Sequence, residues 1–306
     1  MSQPPFIIDT HCHLDAAEFD RDRDAVKAES AARGVGAIVI PAIAISNFGM
    51  VARLARKTVG GAYALGIHPI LTPGATDEDL SALRHAVEAA IGDPRFVAIG
   101  EIGLDLFIPS LTTPEAFEHQ TWFLDEQLKL ARAFDLPVLL HVRRAQDQVL
   151  AALRRVRRGG HERDDAGATG IAHAFNGSRQ QADNYLALGF KLGFGGTSTF
   201  ERALRIRALA KELPDDAIVL ETDAPDIAPA WIHGVEGGDG RNAPGELPRI
   251  AAQIAMLRGC SVADLAAQTT RNACAALPRL AALLERVRAP ASHPIPSEEA
   301  STASNA

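Results

Sequence analysis

Residues 112–141 read TTPEAFEHQTWFLDEQLKLARAFDLPVLLH. Most of this stretch carries a helical signature. Thr112 and Glu115 stand at capping-box spacing, and Phe117, Leu124, Leu128 and Ala131 fall on one face, which predicts a helix over 114–134. Pro137 stops the pattern, because proline has no N–H to continue a helical ladder. The apolar run that follows, ending at His141, has the length of a buried strand. A long amphipathic helix leading directly into a short apolar strand is one turn of a repeating βα unit.

The same alternation recurs on both sides of this stretch. Strands are predicted at 6–9, 37–40, 62–66, 96–99, 138–141, 170–173, 191–194 and 218–221, with helices between them. Eight units are the count of a (β/α)8 TIM-type barrel, whereas a doubly wound sheet normally has fewer strands. Residues 247–257 and 261–287 read as closing helices, the second with a cap signal in Ser261 and Asp264. Residues 154–168 form a charged helix end and loop, and 289–306, rich in Pro, Ser, Ala and Glu without apolar periodicity, read as a disordered tail. The expected organisation is one barrel domain over 1–287 and a tail over 288–306.

Composition narrows the function classes. The 306 residues are 47% hydrophobic and 23% charged, with 31 basic against 38 acidic side chains and a net charge of -7. That balance excludes a fibrous or disordered chain and argues against a broad basic face for nucleic acid, which would need clustered Lys and Arg. The richest apolar stretch, 34–45, is interrupted by Pro41, so no membrane span is expected, and residues 1–5 lack the pattern of a signal peptide. Three cysteines, Cys12, Cys260 and Cys274, have no paired spacing, which suits a reducing compartment and predicts a cytoplasmic protein.

The chemistry lies at the strand ends. Strand one runs into Asp9-Thr10-His11-Cys12-His13, where residues two apart in an extended chain point the same way, so both imidazoles converge and Cys12 faces the core. Strand four ends at Gly100-Glu101, strand five at His141, strand six at His173 and strand eight at Glu221-Thr222-Asp223. A parallel barrel brings all of these ends to one rim, where barrel active sites sit. Four imidazoles and two carboxylates suit Zn²⁺, Mn²⁺, Fe or Co, and exceed what one catalytic zinc takes, so two metals sharing a carboxylate fit the count. Such a pair lowers the pKa of a bridging water, which implies hydrolysis.

Near the same rim, Gly66-Ile67-His68-Pro69 follows strand three, and His68 is placed to donate to a substrate oxygen or to cap its own loop. Arg143 shares the side of His141 by strand parity and can meet a phosphate bidentately. The glycine-rich run at 237–240 with Arg241-Asn242 also falls on this face. His161 belongs to the opposite rim and is not a ligand candidate. Arg154, Arg155, Arg157 and Arg158 read as a solvated helix end.

These residues resemble the TatD-like metal-dependent hydrolases, a branch of the amidohydrolase superfamily that includes TatD-type deoxyribonucleases. The resemblance covers residues 6–277. It rests on Asp9-Thr10-His11-Cys12-His13-Leu14-Asp15, Gly66-Ile67-His68-Pro69, Gly100-Glu101-Ile102-Gly103-Leu104-Asp105, 136–143, His173-Ala174-Phe175 and Glu221-Thr222-Asp223-Ala224-Pro225. Leu106-Phe107 and residues 124–130 place it nearest the YjjV-like branch.

The resemblance implies an amidohydrolase-like barrel with two divalent ions, Zn, Mn or Mg. His11, His13, Glu101 and Asp223 would hold one ion, and Glu101 would bridge to a second held by His141 and His173. Glu101 and Asp223 are the implied catalytic residues, with Asp223 orienting or deprotonating the water, and His68 and Arg143 are the substrate-binding candidates. The implied activity is 3′-to-5′ cleavage of phosphodiester bonds at nucleic-acid ends by a metal-activated water. Ester or amide hydrolysis on the same site, such as D-aminoacyl-tRNA deacylation, is the alternative, with a small phosphoester or ester as substrate, and a non-catalytic metal protein is the third reading. Three sites depart from the pattern of many nuclease members: Ile70, the pair Leu106-Phe107, and Asn176.

Overall fold

The computed structural model describes residues 5–158, 169–234 and 240–288. Eight strands, β1 (Ile7–Asp9), β2 (Val35–Pro41), β3 (Gly61–Leu65), β4 (Phe96–Asp105), β5 (Val138–Arg143), β6 (Gly170–Ala172), β7 (Phe190–Phe194) and β8 (Ile218–Leu220), pair in chain order. Every pair is parallel. The seam between β8 and β1 closes just beyond the strand ends, where the Thr10 N–H donates to Leu220 O at 3.0 Å and the Asp223 N–H to His11 O at 2.8 Å. The fold is the expected TIM-type barrel.

Among the described residues ten α-helices surround or close it: α1 (Arg23–Ala32), α2 (Phe48–Lys57), α3 (Asp77–Ala90), α4 (Pro114–Ala133), α5 (Gln146–Arg158), α6 (Arg179–Ala187), α7 (Leu204–Glu212), α8 (Leu247–Arg258), α9 (Val262–Ala276) and α10 (Pro278–Arg288). Strand alternation divides the core into two layers. Ile8, Ala37, Val39, Ala62, Ala64, Ala98, Leu139, Ile171 and Val219 fill the barrel interior. Their neighbours along the strands, among them Ile38, Tyr63, Ile99, Leu140 and Ile218, pack outward against the helices. Ala276 of α9, Leu280 and Leu284 of α10, and Leu277 between them join the inner layer. The Arg279 side chain donates to Phe96 O, at the start of β4, so these helices floor the end opposite the strand termini.

Three local expectations are corrected. The cap of α4 is Thr113, whose hydroxyl accepts from the Ala116 N–H at 3.2 Å, while the Thr112 hydroxyl donates to Pro109 O at 2.8 Å. Pro114 sets this, because proline favours the first helical position and makes the residue before it the cap. The closing helix predicted over 261–287 is two helices. Pro278 forces the break at Leu277, which sits at φ -126°, ψ 78° instead of in the helical region. Ser261 does cap α9, accepting from the Asp264 N–H at 3.0 Å. Strand β4 runs to Asp105, well past the predicted end.

Arg154 and Arg155 lie on the solvated end of α5, where Arg155 grips Asp125 through two hydrogen bonds of 2.9 and 2.7 Å. The loop at 159–168 with His161, the glycines at 237 and 238, and the tail at 289–306 fall outside the described residues. Among the described residues no single helix is long and apolar enough to cross a membrane. Helices α8 and α9 together have the composition, but they bend by 104° and bury Leu247, Ile250, Ile254 and Leu265 against the barrel.

Truncating Leu280 to Ala should remove a floor side chain from a packed interior and lower unfolding free energy by about 2–5 kcal/mol in urea titration. Metal content should stay the same, because the floor is at the far end from the strand termini. A loss below about 1 kcal/mol would mean that α10 does not belong to the core.

Candidate metal and active site

Alternation carries the inner layer up to the mouth. His141 stands two residues beyond inward-facing Leu139, His173 two beyond Ile171, and Glu221 two beyond Val219. On β3 the series Ala62, Ala64, Gly66 leads to His68.

Strand β4 breaks this count, and the break makes the site. Ala98 faces inward, so strict alternation would put Gly100 inside and Glu101 outside. However, Ile99 pairs with Val138 and Ile102 with Leu140, leaving Gly100 and Glu101 together opposite Leu139. This is a β-bulge, in which two residues face one and the following side chain is re-aimed. A Cβ on Gly100 would lie 2.7 Å from that of Leu139, so only glycine allows so close an approach. Glu101 therefore turns into the barrel and is 1% exposed.

Glu101 is the hub of the mouth. Its Oε2 meets His11 Nε2 at 3.1 Å and His13 Nε2 at 3.3 Å, and its Oε1 meets His141 Nδ1 at 2.9 Å, His173 Nε2 at 2.9 Å and His68 Nε2 at 3.2 Å. The Nε2 atoms of His11 and His13 are 3.3 Å apart, as the His-x-His alternation predicts, and Cys12 between them is buried in the outer layer. Asp223 sits at φ +56°, a left-handed position uncommon outside glycine, and brings its Oδ1 to 3.5 Å from His11 and 3.7 Å from His13. The structure thus gathers all six ligand candidates at one point.

It also places His68 deeper than the sequence reading had it, and gives roles to Asp105 and Glu221 that the reading did not assign. His68 is not out on the rim: it is buried against Glu101 and lies 3.0 Å from His141 Nδ1. Its Nδ1 accepts from the Ile70 N–H at 3.2 Å, so in the neutral ring the proton sits on Nε2 and points at Glu101. Asp105, two residues beyond the Gly103 that pairs with His141, accepts from His141 Nε2 at 3.1 Å and leaves Nδ1 free toward Glu101. Glu221 lies behind His173, 3.9 Å from its Nδ1, and accepts from the Ala174 N–H. A Cβ on Gly193 would overlap the Glu221 carboxylate, so glycine makes its room. Asp105 and Glu221 both appear in the quoted motifs; strand parity from Val219 points to Glu221, whereas Asp105 is reached only through the cross-strand pairing of Gly103 with His141. Arg143 is half-exposed at the rim, 3.9 Å from Asp105. Arg241 and Asn242 support the loop after β8: Arg241 pairs with Asp22, and Asn242 donates to Thr222 O and Asp226 O.

The electrostatics fit divalent ions. Burial alone would make the Glu101 acid hard to ionise, but His68, His11 and His173 hold it well below the usual carboxylate range. Among the described residues no Lys or Arg pairs with it, so cationic charge must come from imidazolium or metal. Burial opposes charge on His13 and His173 as well, yet hydrogen bonding and attraction to Glu101, with Asp223 adding to it, lift them to about 9 and about 10. Burial, reinforced by His173, pushes His11 down to about 3, and burial takes His68 to about 4. Burial likewise raises Asp223, and raises Glu221 to about 8. Three sets of donor atoms are close enough to share an ion: His11, His13 and Glu101; His68, Glu101 and His141; and His11, His173 and Asp223. Nitrogen and carboxylate donors together suit Zn²⁺, Mn²⁺, Fe or Co.

Comparison with known proteins agrees with this chemistry. The family model described as TatD related DNase matches residues 8–278. An uncharacterized metal-dependent hydrolase of Escherichia coli K12, YjjV, is 41% identical over 265 residues, covering 87% of this chain and 95% of that protein. A 3′-5′ ssDNA/RNA exonuclease TatD from Cronobacter turicensis is 35% identical over 268 residues, covering 87% of this chain and 96% of its own. The crystal structure of the Escherichia coli YjjV protein superposes with a TM-score of 0.78 at 38% identity, covering 89% of this chain and 98% of that one.

Because His13 and His173 keep their protons up to about 9 and about 10, a divalent ion must displace protons to enter, and low pH opposes it. Affinity for Zn²⁺ or Mn²⁺ in chelator competition should rise by at least about tenfold between pH 6 and pH 8, with proton release in calorimetry; a flat profile would contradict this assignment. Asp105→Ala should weaken metal binding by about 10–100-fold through loss of His141 orientation, measured by the same competition.

Proposed function

The chain belongs to the family of TatD-related DNases and is a metal-dependent hydrolase, and from that premise we propose that it is a binuclear 3′-to-5′ exonuclease cleaving phosphodiester bonds at nucleic-acid ends. The observation that carries this reading is Glu101, whose two oxygens face separate imidazole groups, His11 with His13 on one side and His141 with His173 on the other. One ion would be held by His11, His13, Glu101 and Asp223, the second by Glu101, His141 and His173. Divalent ions bound there supply Lewis acidity and an activated water.

The remaining work falls to the chain. Asp223 reaches into the mouth from the β8 side and accepts the proton of the attacking water, then returns it to the departing 3′-oxygen. Burial and its carboxylate neighbours raise its proton affinity, the direction a base needs. His68 offers its Nε2–H inside the same ring, and Asp105 fixes His141 in the tautomer that leaves Nδ1 available. Arg143, exposed at the rim, neutralises charge that grows on the phosphate.

A side-by-side panel of single-stranded DNA, double-stranded DNA and D-aminoacyl-tRNA, with metal-reconstituted protein, tests the reading. Single-stranded DNA should shorten from its 3′ end, and Asp223→Asn should slow this by about 10²–10⁴-fold. Two metal equivalents are expected, falling to one or fewer in Glu101→Ala. Intact DNA beside a cleaved aminoacyl ester, or full activity in Asp223→Asn, would overturn the proposal.

A further inference from the structure

Beside the metal mouth lies a second feature, of which only Arg143 enters the scheme above. Phe107, just beyond the β4 terminus, leaves 44% of its surface exposed. The Arg143 guanidinium stacks on it at 3.7 Å and that of Arg144 at 4.6 Å. Successive residues of a strand normally point to opposite sides. Arg144 escapes that rule because it takes a left-handed conformation, φ +56°, and so both arginines reach the same ring.

Arg144 also lines an adjoining polar cavity of about 340 Å³, together with Gln146, Asn176 and Arg205. Asn176 accepts from Gln146 Nε2 at 2.7 Å through its side-chain oxygen, and its NH2 group has no protein partner among the described residues. Neither Arg144 nor Arg205 is paired with a carboxylate among the described residues, unlike Arg155 on its grip with Asp125. The one carboxylate in the cavity, Asp147, is occupied by Gln181 Nε2 at 2.9 Å. Donors without acceptors therefore run from the metal mouth along the rim, with an aromatic face among them.

We propose that Phe107, Arg143, Arg144, Gln146, Asn176 and Arg205 form a track for the strand beyond the scissile bond, with the ring and guanidinium planes stacking a base and Arg144 and Arg205 holding the next phosphates. Binding should then strengthen with the length of strand beyond the scissile linkage. This rests on the phosphodiesterase reading of the same mouth.

The test uses the metal-reconstituted protein with three thymidine substrates: the dinucleotide TpT, a hexathymidylate, and a hexathymidylate whose linkages other than the 3′-terminal one are uncharged methylphosphonates. The wild type should show a KM for the all-phosphate hexamer about tenfold below that for the methylphosphonate hexamer. Arg144→Ala and Arg205→Ala should each shrink that difference, raising KM for the all-phosphate hexamer several-fold more than for TpT. Each should also lower the slope of log Kd against log salt by about 0.7, the share of one single-strand phosphate. Phe107→Ala should raise KM for both hexamers, since stacking is indifferent to the linkage. Equal KM values for the two hexamers in the wild type, or arginine variants that affect TpT and hexamer alike, would overturn the track while leaving the nuclease reading intact. If no substrate is cleaved, the nuclease reading fails, and fluorescence anisotropy with the two hexamers decides the track: equal Kd values overturn it.

Discussion

A carboxylate buried at the centre of a barrel has to be neutralised where it stands, and most of this molecule's architecture follows from meeting that need at Glu101. Burial in low dielectric disfavours the anion by several kcal/mol unless opposite charge and hydrogen bonds surround it. No single strand can surround it. The five imidazoles in contact with Glu101 come from the segments following β1 and β3 and from the ends of β5 and β6, so the anion is tolerated only once the sheet has curled and brought distant parts of the chain together. The site is thus a property of the closed barrel and not of any local motif.

Closure is secured at the seam where β8 returns to β1. There Asp9, buried, accepts from the Thr222 N–H at 3.0 Å and the Thr222 hydroxyl at 2.6 Å. Those two residues lie directly before the site residues on each side, Asp9 before His11 and His13, Thr222 before Asp223. The Asp223 N–H then returns to His11 O. The bonds that seal the sheet are therefore the same ones that set the distance between the His-x-His pair and the carboxylate facing it.

Strand parity made much of this readable in the sequence. His141 and His173 are aimed by the inner residues two positions earlier, and His11 and His13 by their own alternation, so their convergence could be anticipated. The reading also reached Glu101 as a strand end, but parity alone would have turned it outward: the bulge depends on Gly100 pressing against Leu139, a contact between strands that no spacing within one strand displays. Asp105 was missed because β4 was read as ending six residues too early. Its periodicity is obscured once the bulge shifts the phase. His68 was read as a rim residue because the loop's depth is set by Gly66, which packs within 2.7 Å of the Gly100 backbone where a Cβ would stand. The helix break at Leu277 was legible in Pro278 and was overlooked because the apolar pattern continues through it.

Charge distribution connects the barrel to what lies outside its mouth. With a net charge of -7 the surface as a whole repels polyanions. Around the barrel several arginines are neutralised in place: Arg33 by Glu29, Arg56 by Asp93, Arg155 by Asp125, Arg241 by Asp22, Arg258 by Asp215. At the mouth the pattern changes, since Arg143 and Arg144 rest on the face of Phe107, and the carboxylate nearest Arg143, Asp105, stands 3.9 Å away and is already engaged by His141. A cation held against an aromatic ring keeps its N–H donors available in a way that one locked to a carboxylate does not. The net negative charge and the available donors beside the mouth act in the same direction: an anionic ligand gains most where those donors adjoin the metal-binding groups.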